Sequence, residues 1–143
     1  MGMQLDKVQP KNKRQLKQLI NYAFKHNIYD LNFIDTSEIT DMSLLFTNCK
    51  YDFDISDWDV SNVINMGYTF YKCNVFTGKG LENWDVSKVK NMNYMFYNCK
   101  NFNCDLSDWD ISNMTRWKNT FGGCDKTTIP VWYKKLYIVK NKI

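Results

Sequence analysis

Histidine is almost absent from this chain: His26 is the only one among 143 residues. No Cys-His or Ser-His-Asp arrangement can be placed at any recurring position. His26 falls on a predicted amphipathic helix, so we expect it at the surface or at the helix end. Residues Thr77 to Gly80 lack the G-x-x-x-x-G-K-[ST] spacing of a phosphate loop, and a surface turn is expected there. We therefore expect a protein that is not an enzyme and holds no cofactor.

Long apolar runs are also missing. No stretch approaches the roughly 18 consecutive apolar residues of a transmembrane helix. The start, Met1 to Lys7, lacks the apolar region of a signal peptide. These absences predict no membrane span and a cytoplasmic location for the sequence as it stands, with the cell surface as the alternative if a leader has been removed.

The charge is unevenly distributed along the chain. The net charge is +5 over residues 1–27, −5 over residues 28–124 and +4 over residues 125–143. A content of 44% hydrophobic and 16% aromatic residues is enough for one compact unit. Because the basic residues lie outside the segment that forms most of the fold, the overall charge of +4 is only a weak sign of nucleic-acid binding.

The strongest signal is an internal repeat. Four aligned serines, at intervals of 24, 26 and 25 residues, mark four units between Leu31 and Cys124. Three further columns keep the same intervals. The serines are Ser37, Ser61, Ser87 and Ser112, and the other columns are Phe46, Phe70, Phe96 and Phe121; Cys49, Cys73, Cys99 and Cys124; and Met42, Met66, Met92 and Trp117.

Within each unit the apolar spacing changes midway. The first half has an L-x-x-L-x-L pattern, as in Leu106-x-x-Trp109-x-Ile111, in which the last two residues share one face of a short strand. The second half is helical in spacing, since Met92 and Phe96 follow Val89 at i+3 and i+7. The pattern predicts an α/β fold: a short leucine-rich-repeat-like solenoid of four strand-helix units with a parallel sheet.

The flanking segments are predicted to cap the two open ends of this solenoid. Asn12 and Gln15 are expected to cap an N-terminal amphipathic helix, and Pro130 precedes a C-terminal segment that fits a helix, with a strand as the alternative. We divide the chain into an N-terminal cap at 1–30, a four-unit repeat domain at 31–124 and a C-terminal cap at 125–143. The apolar positions of the caps are Leu16, Leu19, Ile20, Ala23 and Phe24, then Trp132, Leu136 and Val139.

The recurring phrases resemble those of a known family. Trp58–Val63, Trp84–Phe96 and Asp105–Asp110 carry repeated Trp-Asp-Val-Ser and Asn-Met-x-x-Met-Phe patterns. These patterns are similar to those of the BspA-like leucine-rich-repeat proteins of bacteria, which include a lipoprotein-associated repeat domain of unknown function. The resemblance implies a β/α solenoid used for surface attachment or protein recognition, without catalytic residues. Many of those relatives are exported and have longer arrays than four units.

Four of the five cysteines occupy one repeat column. The C-x₂-C pairs of zinc sites are absent, so we expect free, buried thiols with a packing role and no bound metal. Cys104 lies outside the column, and its pairing with Cys99 or Cys124 is the open alternative.

An acidic column is the main functional candidate. If Ile55, Trp58 and Val60 point inward, the residues between them face outward on the open strand face. These side chains are expected either to cap the following helices or to contact a basic protein partner, and calcium binding is a third interpretation. The predicted partner-binding residues are Asp35, Asp57, Asp59, Asn83, Asp85, Asp108 and Asp110.

Together these features predict a non-catalytic protein-protein interaction module, used in recognition, adhesion or surface attachment. We expect it to act as a monomer, with no small-molecule substrate. The alternative function is binding of a nucleic acid or an anionic surface through the basic termini, at Lys11, Lys13, Arg14, Lys17, Lys134 and Lys135.

Overall fold

The computed structural model describes residues 6–142, with side chains for residues 6–139. Helix α1 spans Lys13–Lys25 and helix α2 spans Val131–Lys142. Two single-turn 3₁₀ helices lie at Leu81–Asn83 and Lys126–Thr128. Neither helix of the described part is long and apolar enough to cross a membrane.

Helix α1 forms as its sequence predicts. The Asn12 side chain accepts a hydrogen bond from the Gln15 backbone N–H at 3.0 Å, and the Gln15 side chain accepts one from the Lys11 N–H at 2.8 Å. These bonds satisfy N–H groups near the helix start that have no partner within the helix. The inward face of α1 is buried against the first unit, at Leu16, Ile20 and Ala23, with Leu19 and Phe24 partly buried beside it.

The predicted α/β solenoid of strand-helix units with a parallel sheet is wrong. Residues 31–124, all of them described, contain no strand, no sheet and no α-helix. Turns make up the repeats instead, and the extended pairing in the described chain consists of five isolated parallel bridges. The leucine-rich-repeat architecture is therefore not present in this chain.

The first half of each unit is a tight turn and not a strand. In the L-x-x-W motif the tryptophan N–H donates to the carbonyl three residues earlier, as from Trp58 to Ile55 and from Trp109 to Leu106, each at 3.1 Å. A turn of this kind brings residues i and i+3 to the same side. The spacing that suggested a buried strand therefore results from consecutive i to i+3 turns.

The second half of each unit is a run of turns and not a helix. Backbone N–H groups at every second position donate to the next unit, and those between them close turns inside the unit, as from Leu45 to Met42. In the first unit the donors are Met42, Leu44, Phe46 and Asn48, and the acceptors in the second unit are the carbonyls of Asn65, Gly67, Thr69 and Tyr71.

Left-handed backbone residues prevent a helix in this second half. Two positions of each unit have positive φ, which interrupts the continuous right-handed conformation that an α-helix requires. The buried residues between these positions still follow one another at i+3 and i+7, so the sequence pattern resembles that of a helix. These positions are Leu44, Asn48, Tyr68, Lys72, Tyr94, Asn98, Asn119 and Gly123.

Aromatic rings align across the units to form the centre of the core. Phe46, Phe70, Phe96 and Phe121 stack in sequence, with ring centroids 5.7, 5.4 and 5.4 Å apart. All four are at most 2% exposed. Burying each ring contributes roughly 1.5–3 kcal/mol, so this ladder is a main source of cohesion between units.

A tryptophan ladder continues from the repeats into α2. The indole Nε1 groups of Trp58, Trp84 and Trp109 each donate to a carbonyl of the preceding unit, at 2.9, 3.2 and 2.8 Å. Trp132 of α2 makes the same bond to the Leu106 carbonyl at 2.8 Å. Helix α2 therefore places a side chain where a fifth unit would place its tryptophan.

Candidate functional site

The residues of the predicted partner site lie on one set of segments, which we call the acidic face. All of them are exposed except Asp35, which is half-buried. Carboxylates that sequence analysis did not include lie in the same segments, at Asp54, Glu82 and Asp105. They were missed because each lies directly before or after the first apolar position of the L-x-x-L-x-L pattern. There, strand alternation did not predict whether the side chain points inward or outward.

Four aspartates of the acidic face also shape the backbone. Each accepts a hydrogen bond at Oδ1 from the backbone N–H of the serine two residues later, at 2.9–3.0 Å. The predicted acceptance of backbone N–H groups is thus confirmed, but it closes turns and does not cap helices. The four pairs are Asp35 with Ser37, Asp59 with Ser61, Asp85 with Ser87 and Asp110 with Ser112.

These hydrogen bonds favour the ionised carboxylate. The pKa of Asp85 is lowered, chiefly by the Ser87 hydroxyl and then by its N–H, while burial and the neighbouring charge of Asp110 act in the opposite direction. The pKa of Asp110 is lowered by the same two groups of Ser112. These two carboxylates are therefore held in the ionised form, and they interact electrostatically across successive units.

Asp57, Asn83 and Asp108 are exposed members of the acidic face. Their side chains make no hydrogen bond or ion pair with any residue that the structure describes. Ion pairs within residues 6–142 join Lys11 to Glu38 and Lys13 to Asp41, and none of these residues belongs to the acidic face. The carboxylates of the acidic face thus form no ion pair within residues 6–142, although the charges of Lys7 and Lys88 contribute to the lowered pKa values of Asp35 and Asp85.

The basic N-terminal residues are largely engaged with the protein itself. Lys11 and Lys13 form the two ion pairs, and Lys17 donates to the Leu45 carbonyl at 2.6 Å. Burial lowers the pKa of Lys17. Arg14 on α1 and Lys134 and Lys135 on α2 are exposed. The predicted anionic-ligand site is therefore dispersed, and half of its members have intramolecular partners.

The cysteine column contributes to packing. All five cysteines are free thiols, so the pairing of Cys104 with Cys99 or Cys124 is not formed. Cys73 and Cys99 are buried, and each thiol donates to a phenylalanine carbonyl of the preceding unit at 2.9 Å. Cys49 and Cys124, at the ends of the column, are half-buried. Burial raises the pKa of Cys73 to about 12, which disfavours the nucleophilic thiolate.

The other candidates from the sequence have structural surroundings. His26 is exposed at the C-terminal end of α1, where its Nδ1 lies 2.8 Å from the Tyr22 carbonyl, as expected. Within residues 6–142 there is no group of three or more His, Cys, Asp or Glu side chains that could hold a metal ion, so the calcium interpretation gains no support. Gly78, in the stretch compared with a phosphate loop, has φ +78° and packs against Phe102.

Four tyrosines form a second surface that sequence analysis did not identify. Tyr68 stacks on Tyr94 with centroids 4.9 Å apart, and Tyr71 stacks on Tyr97 at 5.3 Å. Tilted ring contacts between Tyr68 and Tyr71, and between Tyr94 and Tyr97, join the two pairs. The available signal was the tyrosine at matching positions of the second and third units.

The stacked turns of the four units and the phenylalanine and tryptophan ladders inside them define a repeat protein. Residues 14–132 match the model of a family described as Mycoplasma protein of unknown function, DUF285. The chain belongs to this family. No curated protein and no solved structure matches it.

Proposed function

We propose that this chain is a non-catalytic protein-binding module, acting as a monomer, whose acidic face contacts a basic surface on a partner protein. As part of this proposal, we relate the chain to the BspA-like repeat proteins, which its sequence motifs resemble. That relation agrees with a role in recognition or adhesion.

One comparison within the chain supports the proposal. At a different turn of the units, Asn65 Oδ1 accepts from the Gly67 N–H and Asn91 Oδ1 from the Asn93 N–H, both at 2.9 Å, while Asp41 has this role in the first unit. A neutral side chain is therefore sufficient to close such a turn. The negative charge of Asp59 is therefore not needed for the backbone hydrogen bond of its turn, although Asp59 Oδ1 also accepts from the Ser61 hydroxyl at 2.6 Å.

Charge repetition strengthens this argument. Successive units are 5.4–5.7 Å apart, as measured between stacked phenylalanine rings. Carboxylates repeated at about this interval repel one another. A basic protein surface would relieve that repulsion, and long-range attraction would accelerate the encounter.

The test removes charge and keeps the turns. A variant carrying D57N, D59N, D85N, D108N and D110N should bind a fluorescein-labelled peptide of ten lysines roughly 10- to 100-fold more weakly at low salt, because each exposed ion pair contributes up to about 1 kcal/mol. Its fold should be retained, since asparagine can accept the same backbone hydrogen bonds, and its melting temperature should fall only by the part that the serine bonds to ionised carboxylates contribute, as at Asp85. Fluorescence anisotropy and differential scanning calorimetry measure the two quantities.

A matched control neutralises five carboxylates elsewhere, through D6N, E38Q, D41N, D52N and D125N. It should retain the affinity of the unmodified protein. Equal loss in both variants would show that only net charge matters, and full binding by the first variant would refute a role for the acidic face. Capture of a partner from native cells should show the same dependence on the acidic face.

A further inference from the structure

We infer that the four tyrosines and an adjacent row of lysines form a second binding surface, which takes an acidic segment of a separate partner protein. We call it the tyrosine-lysine face and define it as Tyr68, Tyr71, Tyr94, Tyr97, Lys50, Lys72 and Lys100. It lies on the second half of each unit, in a different segment from the acidic face.

The groove beside the tyrosines is rich in hydrogen-bond donors. It has a volume of about 440 Å³, and its lining includes three lysines and three asparagines but no carboxylate. The lysines are exposed and form no ion pair within the described chain. The polar lining residues are Lys50, Lys72, Lys100, Asn48, Asn74 and Asn98.

The tyrosines extend the same donor chemistry. The hydroxyls of Tyr68, Tyr71 and Tyr97 have no hydrogen-bond partner among residues 6–142, while Tyr94 Oη accepts from Asn119 at 3.1 Å. Lys72 Nζ lies 5.2 Å from the centroid of the Tyr71 ring, which places an ammonium group at the border of the tyrosines. Ammonium, amide and phenol donors next to one another are complementary to carboxylates.

The ring geometry favours a protein over a single-stranded nucleic acid. Binding of single strands depends on bases that stack on open aromatic faces. Here each ring has one face closed by its stacking partner, and the planes within each pair are only 13° apart. Lys72 lies over the Tyr71 ring in addition. One face of every ring is therefore unavailable to a base, and tyrosines with unpaired hydroxyls are common in protein interfaces.

The experiment compares two polyanions of similar charge. A labelled peptide of ten glutamates and a ten-nucleotide oligothymidylate are titrated with the full chain at 25 and 150 mM salt. The triple variant K50Q, K72Q and K100Q should bind the glutamate peptide at least tenfold more weakly. The variant Y71F and Y97F, which removes only hydroxyls, should weaken binding a few-fold.

The controls separate this proposal from general charge effects and from the acidic face. A variant with K25Q, K134Q and K135Q loses the same charge elsewhere and should bind like the unmodified protein. The five-asparagine acidic-face variant should still bind the glutamate peptide, so each proposal can fail without the other.

Several results would overturn the assignment. The first is an absence of binding to the glutamate peptide at 25 mM salt. The second is an equal loss of peptide affinity in the lysine control variant, and the third is tighter binding of the oligonucleotide than of the peptide. Self-association seen by light scattering and abolished by the face variant would assign the surface to a second copy instead.

Discussion

Replacing Trp132 with alanine should destabilise the protein by about 2–3 kcal/mol. A fully buried tryptophan costs about 3–5 kcal/mol when truncated to alanine. Trp132 is half-buried, donates to the Leu106 carbonyl at 2.8 Å and contacts the Phe121 ring at 5.9 Å. For a chain of 143 residues, each kcal/mol corresponds to about 3 °C, so the melting temperature should fall by about 6–9 °C.

The loss should be concentrated at the end of the array. In a stack with contacts only between neighbours, loss of an end cap destabilises the adjacent unit first. Hydrogen exchange should therefore accelerate at the Thr115 N–H, which donates to Lys90, more than at the Ile64 N–H, which donates to Thr40. The control Y137A alters a side chain that is 60% exposed and should change stability by less than about 0.5 kcal/mol. If W132A also remained within that range, α2 would not be a cap.

Three other substitutions or treatments probe separate features of the molecule. G78A should lower the urea midpoint, because φ is +78° and an added Cβ would lie 2.2 Å from a ring carbon of Phe102; an unchanged midpoint would refute the strain. Hydrogen bonds from Ser87 lower the pKa of Asp85 in the folded protein. The stabilisation from these bonds is therefore present above the unfolded pKa of about 4 and is lost as the pH falls through the folded pKa. D85N should lose less thermal stability than the unmodified protein between pH 5 and 2. Cys73 should resist a thiol reagent at pH 8 until urea unfolds the chain, and rapid labelling of the native protein would contradict its burial.

Sequence alone predicted the columns and α1 but not the backbone that carries the columns. The Phe column could be aligned because identical residues recur at nearly constant intervals, and the Asn12 cap follows a local rule. The type of secondary structure in each half of a unit could not be predicted in this way. Spacings of three and four residues arise both in a helix and in successive i to i+3 turns, so residues such as Met92 and Phe96 are buried in either case.

Part of the missing information was present in the polar positions. Asn48 and Asn98 share a column with Gly123, and asparagine and glycine are the residues that most readily adopt positive φ. That column could have indicated a left-handed residue. Tyr68 and Tyr94 also have positive φ, but bulky tyrosines give no such indication. The tyrosine surface consequently depends on backbone angles that no local preference predicts.

The alternating hydrogen bonds of the second half of each unit have a consequence for how such a chain can change in length. In this run, the second unit donates to the third from Met66, Tyr68, Phe70 and Lys72 and accepts from the first at the matching carbonyls, while its Ile64 N–H donates back to Thr40 of the first unit. A tandem duplication of one complete unit would supply both complementary sides at once. Growth in whole units therefore preserves every hydrogen bond between neighbouring units. Insertion of a few residues preserves these bonds only in a turn outside the run, such as the turn that contains Gly78 and Gly80.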